Sequence, residues 1–500
     1  LTTRWFGARV QRVEDDRLLR GHGRFTDDID EGALESVLVR SPYAHARILS
    51  IDVTAARAVP GVATVYTAAD LPFGGTDLPI LIPHPNLTHG RTQRCLASEV
   101  VRYAGEAVAF VVAESRAIAE DAAELVQVEY EQLPVVITPE LAARADRLVH
   151  DDVPGNVAAE MKQEVGNVDQ ALAAAPHRKT LSLRFERGAA APMEGRAVWA
   201  RWSAHERKLT VYDSTQSPTS IRGGLAVLFG LPESSVDVIA PDVGGGFGPK
   251  IMLFYPDELL VPYAAMELGR AVKWTEDRQE HFTAVNQERG QVHEVDVGFD
   301  DEGRVLALSD DFIHDAGAYT PYGIILPIIT AAQIPGPYRV PSYRVRFRDV
   351  YTNATPTSPY RGAGRPHACF VMERTLDAIS AELAGGRARG DGAQRLCRGH
   401  GGRSVRGRAC AGAGLGQGGG RDRDSQPGPV TRDSVGAGGR RRAWSRRRRR
   451  RGDERRHAPL PVGRWHIRLA RRGYCWQRDG GGGADGRRQG EAHRGRAPRG

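Results

Sequence analysis

The sequence predicts an α+β fold for residues 1–384 and a disordered tail for residues 385–500. Three observations carry this expectation. Short runs of branched apolar residues recur between turn-forming positions, the mark of strands. Segments of helix-forming composition are interspersed among them. Near residue 384 the composition changes abruptly, and apolar periodicity ends there.

Within the first third, residues 34–39 and 48–53 are short branched apolar stretches and are read as strands. Pro60-Gly61 punctuates the next one, residues 62–67. Residues 99–113 contain Val100, Val101, Val108, Phe110, Val111 and Val112, and Gly105-Glu106 divides them into two strands. Residues 117–125 have helix-forming composition, and residues 126–130 return to alternating apolar positions. A first domain over residues 1–135 is expected.

Pro154-Gly155 is a turn signal that opens a second region, residues 150–384. Ser217-Pro218 before residues 221–229, with Gly230 behind them, predicts a helix with an N-cap, a proline in its first turn and a glycine past its end. Residues 236–240 read as a buried strand that runs directly into Asp242-Val243-Gly244-Gly245-Gly246-Phe247-Gly248. Residues 292–299 and 305–312 flank Asp300-Asp301-Glu302-Gly303, a hairpin with glycine where a positive φ is needed. Residues 373–383 have helical spacing, with Leu376, Ile379, Ser380 and Leu383 on one side.

The formal charge of +8 would suggest a polyanionic partner if it were spread evenly. It is not. Residues 385–500 carry 31 Arg, no Lys and nine acids, a net of +22, which leaves 38 basic and 52 acidic residues and −14 for residues 1–384. A segment dominated by 31 Arg and 29 Gly cannot bury enough apolar surface to offset the roughly 1–2 kcal/mol per residue that ordering a backbone costs. Such a tail could bind nucleic acid through residues 446–451, its densest arginine run. The absence of Lys, Phe, Asn and Met from it points instead to a GC-rich coding sequence read out of frame, and nucleic acid is not the expected partner.

Cys95, Cys369, Cys397, Cys410 and Cys475 form no CxxC pair and no close even spacing, which argues against a zinc site, a disulfide framework or iron–sulfur clusters in this chain. No apolar run approaches the roughly 18–20 residues needed to span a bilayer, and the N-terminus has no signal-peptide pattern. A cytoplasmic setting is expected.

Two loops carry the chemistry. In residues 244–248 the missing Cβ atoms let backbone N–H groups approach an anionic or oxo group. The run matches neither the dinucleotide fingerprint nor the Walker pattern, and by itself is equally a tight turn. In residues 359–366 Arg361 and Arg365 stand among small residues, an arrangement suited to oxyanions but also found in solvated loops.

The two loops belong to a series. Residues 21–29 (GHGRFTDDI), 40–48 (RSPYAHARI) and 59–62 (VPGV) are followed by 215–218 (TQSP), the glycine loop with Pro249-Lys250, residues 273–278 (KWTEDR) and residues 360–365 (YRGAGR). In that order they resemble the large subunits of molybdenum hydroxylases, the xanthine dehydrogenase, aldehyde oxidase and carbon monoxide dehydrogenase family, over about three quarters of the chain.

The resemblance implies a hammerhead-like first domain, then the first molybdopterin-binding domain. It implies molybdenum held by a pterin dithiolene, expected in the cytosine dinucleotide form, with no metal ligand from the protein. Gln216, Gly246, Phe247 and Gly248 are then expected on one side of the cofactor, and Arg361, Gly362, Ala363 and Gly364 on the other. Carbon monoxide oxidisers carry a copper-binding cysteine where this chain has Gly362-Ala363-Gly364, and purine oxidisers a glutamate where Ile251 stands here, so an aldehyde, an N-heterocycle or a related small molecule is the expected substrate. Water would be the oxygen source. Electrons would leave through an FAD-binding medium subunit and an iron–sulfur small subunit. No catalytic residue is assigned: the family's glutamate lies near the C-terminus of intact members, and nothing after Ala384 matches that region, so no turnover is expected of this chain as written.

Overall fold

The computed structural model describes residues 8–251, 254–386, 466–469 and 474–477. Its strands are β1 (Leu34–Arg40), β2 (Ala46–Asp52), β3 (Val62–Tyr66), β4 (Val100–Val101), β5 (Ala107–Ala113), β6 (Gln127–Gln132), β7 (Val157–Val165), β8 (His177–Gly188), β9 (Ala197–Ser203), β10 (Lys208–Asp213), β11 (Val236–Ile239), β12 (Val272–Thr275), β13 (Glu288–Phe299), β14 (Val305–Gly317) and β15 (Ser342–Tyr351). The helices that matter below are α1 (Arg116–Glu124), α2 (Pro218–Leu228), α3 (Pro256–Leu268), α4 (Arg278–Ala284), α5 (Ile325–Gln333) and α6 (Arg365–Gly386).

A seven-stranded sheet in the order β11-β10-β9-β12-β1-β5-β3 joins the two halves of the described chain. The junction is a parallel pairing, Leu34 with Val272 through Ser36 with Trp274. All seven residues of β5 are buried, with no apolar–polar alternation, because both faces of the strand are covered. Phe110 and Val112 face α2 and α3 in one core, while Val111 and Ala113 pack with Ala119 and Ala122 of α1 in another. β10 alternates instead, with Leu209 and Val211 turned into the core.

A five-stranded sheet, β7-β15-β14-β13-β8, forms the second core. Val295, Val297, Phe299, Phe312 and Phe347 project from it against Ala368, Val371, Met372 and Ile379 of α6. Burying each large side chain of this kind stabilises the fold by roughly 1.5–3 kcal/mol. A three-stranded sheet, β4-β2-β6, completes the N-terminal part.

The strands expected at 34–39, 48–53, 62–67, 126–130 and 236–240 are present within two or three residues, and Gly105-Glu106 does separate β4 from β5. Three details differ. The hairpin is longer than its apolar pattern, because β13 and β14 continue into buried polar positions such as Gln291, His314 and Asp315. α6 begins at Arg365 rather than near 373, since its first turns grow straight out of the second loop. Ser217 occupies the N-cap of α2 but makes no side-chain capping bond, its hydroxyl donating to Ser220 Oγ at 2.8 Å. The expected disorder of residues 385–500 falls almost wholly outside the described residues; within that span a short antiparallel pair, His466–Leu469 with Tyr474–Gln477, is described. No described helix is long and apolar enough to cross a membrane.

Candidate functional site

β10 and β11 run parallel, so they release their C-terminal ends at the same edge of the large sheet. β10 delivers Gln216 there and β11 delivers the glycine loop. Gly248 N donates to Gln216 Oε1 at 2.7 Å, which orients the side-chain amide and leaves its Nε2 able to donate elsewhere. A Cβ on Gly246 would stand 2.5 Å from the same Gln216 oxygen, so only glycine allows that approach.

The second loop lies directly on the first. Arg361 N donates to Phe247 O at 2.8 Å. Gly248 passes so close to Pro359 that a Cβ there would sit 1.9 Å from the Pro359 carbonyl oxygen. Phe247 and Ala363, at the centres of the two loops, both adopt left-handed backbone with φ of 55° and 51°. That conformation costs a non-glycine residue of order 1–3 kcal/mol and persists only where the surroundings enforce it. Gln216, Phe247, Arg361 and Gly362 remain exposed along the rim. Gly364 is placed otherwise: it is buried against α5, where Thr330 Oγ1 donates to its carbonyl at 3.2 Å.

Beneath the first loop lies a buried charged network. Arg196, 4% exposed, makes two 2.8 Å bonds from Nη1 to Asp257 and one of 3.2 Å from Nε to Glu276. Its guanidinium stacks 3.7 Å from the Tyr255 ring centre. His281 Nδ1 lies 2.8 Å from Glu276 Oε2. Burial alone would push the Glu276 carboxyl up, but the Arg196 charge and the His281 hydrogen bond outweigh it and hold it down at about 2.

Asp213 has no such excess of donors. Burial, reinforced by the neighbouring Asp257 charge, pushes its carboxyl up to about 8, so it holds a proton at neutral pH. A carboxyl raised on folding contributes stability that is complete below its unfolded value near 4 and is lost as pH rises toward 8. Asp213→Asn is therefore expected to cost under about 1 kcal/mol at pH 6 and to flatten the decline in urea midpoint between pH 5 and 8. A variant whose midpoint falls with pH as steeply as that of the parent protein would overturn this assignment.

Residues 20–134 match the model of the aldehyde oxidase and xanthine dehydrogenase a/b hammerhead domain, and residues 149–386 match that of the molybdopterin cofactor-binding domain. The large subunit of nicotine 6-hydroxylase from Paenarthrobacter nicotinovorans is 36% identical over 388 residues, 77% of this chain and 47% of that protein. The nicotinate dehydrogenase large molybdopterin subunit of Eubacterium barkeri is 30% identical over 390 residues, 75% of this chain and 86% of that subunit. The chain belongs to the molybdenum hydroxylase large-subunit family. The crystal structure of quinoline 2-oxidoreductase from Pseudomonas putida 86 superposes with a TM-score of 0.71 at 38% identity, covering 75% of this chain and 48% of that one. This family member thus spans about half the length of the first curated relatives it matches.

The residues at the rim of the two loops offer groups that a molybdopterin cofactor could use. Side-chain-poor turns leave backbone open, Gln216 and Arg361 offer donors, and the second loop leads into the N-terminus of α6, where the helix dipole favours negative charge. The Phe247 amide makes no hydrogen bond among the described residues, whereas that of Gly248 is already used by Gln216. Among the described residues no group of three or more His, Cys, Asp or Glu side chains is arranged to hold a metal ion.

Sequence reasoning picked out both loops and Gln216 but missed the network below them. Glu194, Arg196 and Asp257 look like ordinary surface charges in a linear reading. One usable signal was Arg196 itself, a charge heading the apolar strand β9, whose first four residues are all buried.

Proposed function

We propose that this chain supplies the first half of a molybdopterin-binding catalytic unit that hydroxylates a small electron-poor substrate, with water as the oxygen source. The observation that carries the reading is the contact of the two loops, Gly248 with Gln216 and Arg361 with Phe247. When bound, molybdenum-molybdopterin, taken to be the cytosine dinucleotide form, supplies the two-electron acceptor for the oxidation. The protein's own part is binding and orientation. Gln216 Nε2 and the Phe247 amide donate toward one side of the group, and Arg361 with the side-chain-poor turn at Gly362 and Ala363 closes the other.

An N-heterocycle is favoured over an aldehyde as substrate, since the relatives include a nicotine hydroxylase and a quinoline oxidoreductase. Gly362, Ala363 and Gly364 offer no copper ligand, which argues against carbon monoxide. FAD-binding and iron–sulfur subunits are the proposed electron acceptors, consistent with relatives named as large subunits. The resemblance implies a catalytic glutamate near the C-terminus of intact members, beyond the matched residues 20–134 and 149–386, so those residues are proposed to bind cofactor without turning over.

The test is to purify the chain from a host that makes the cofactor, then measure molybdenum and pterin per chain and dye-linked oxidation of aldehydes and N-heterocycles. Bound molybdenum below one per chain, without turnover, is the expected result. Complete absence of metal and pterin would sink the binding role; stoichiometric metal with turnover would sink the inactivity.

A further inference from the structure

Lys250 is 1% exposed, and its ammonium is held by the carboxylate that also binds the start of the glycine loop. Its Nζ donates to Glu194 Oε2 at 2.9 Å and to Ser214 Oγ at 2.7 Å. The same Glu194 oxygen accepts from Ser214 Oγ at 2.8 Å and from the Gly244 amide at 2.7 Å. At its other end, the Lys250 backbone carbonyl accepts from Gln216 N at 2.7 Å and from Thr215 Oγ1 at 3.1 Å. One residue therefore grips both partners of the first loop: through Glu194 it fixes the start of the glycine turn, and through its carbonyl it fixes the strand end that carries Gln216.

We infer that Lys250 and Glu194 form a buried clasp that sets the spacing between Gln216 and the glycine loop, and that they are positioning residues for the oxo-metal group. This rests on the cofactor reading above. A buried pair of opposite charge adds little net stability over apolar residues of similar volume, but removing one member leaves the other uncompensated. The clasp is thus tolerable as a pair and intolerable as a half. Since three donors converge on one Glu194 oxygen, loss of the ammonium frees that carboxylate to swing, and the Gly244 amide loses its anchor.

The clasp can be read without turnover. In the full chain carrying Lys250→Met, amide hydrogen exchange in residues 243–249 should accelerate at least tenfold, while exchange in β13 and β14 stays within twofold of the parent. Molybdenum per chain should fall at least fivefold. Glu194→Gln, which changes almost no volume, should give both effects and carries the same test if the lysine variant does not fold. Lys179→Met, which breaks the exposed pair with Glu382 at 2.7 Å, should change neither.

Unaltered exchange in residues 243–249 overturns the clasp. Accelerated exchange with molybdenum content equal to that of a loaded parent overturns its positioning role and leaves the cofactor reading intact. A parent chain with no molybdenum at all overturns both.

Discussion

Gly248→Ala should lose more than about 3 kcal/mol of stability together with most of the bound molybdenum. Two costs add at this position. The added methyl would sit 1.9 Å from the Pro359 carbonyl oxygen, and that obstacle is backbone, so no rotamer change relieves it. A φ of +122° is also a conformation that an alanine adopts only under strain. Gly230→Ala is the matched control: its φ is +63°, yet an added Cβ meets nothing within 4 Å, so only the backbone term of about 1–2 kcal/mol applies. Urea unfolding of both variants separates the contributions. If the two substitutions proved equally mild, the loops would not be in the contact described.

Arg196→Met should be as damaging, for an electrostatic rather than a steric reason. Removing the guanidinium leaves Asp257 and Glu276 buried without their cation, a change that typically costs about 3–5 kcal/mol. The pH dependence should change as well. In the parent protein Glu276 is held at about 2, below its unfolded value near 4.5, so its contribution is complete above pH 4.5 and disappears as pH falls toward 2. Without Arg196 burial dominates, the carboxyl moves up, and the acid-side loss of stability should begin at higher pH. Adding Asp257→Asn to the variant should recover part of the loss, because it removes one of the stranded charges. A single-variant cost below 1 kcal/mol would mean that water reaches the network.

Much of this architecture was legible in residue order, for identifiable reasons. β1, β5 and the β13–β14 hairpin follow from apolar runs and a glycine turn, which are local properties. The two cofactor loops stood out because glycine-rich turns have few innocent uses when several motifs accompany them in order. β8 was overlooked although it alternates half-buried and exposed residues along its length, since Arg178, Lys179, Arg184 and Arg187 mask the apolar face made by Leu181, Leu183 and Phe185. The network around Arg196 and Lys250 could not be read from spacing at all. Its members lie just before β9, on β10 and its exit, before and within α3, after β12 and on α4, and only folding makes them neighbours.

The pairing of β1 with β12 has a consequence for how the polypeptide is made. Leu34 finds its partner at Val272, roughly 240 residues later. At about 5–20 residues per second, the ribosome needs some 12 to 50 seconds to deliver that second strand. During this interval the N-terminal segment has completed its antiparallel partner on one side and presents bare amides and carbonyls on the other. Aggregation and chaperone capture therefore compete with productive folding for this nascent edge, in a window set by translation speed rather than by the stability of the finished protein.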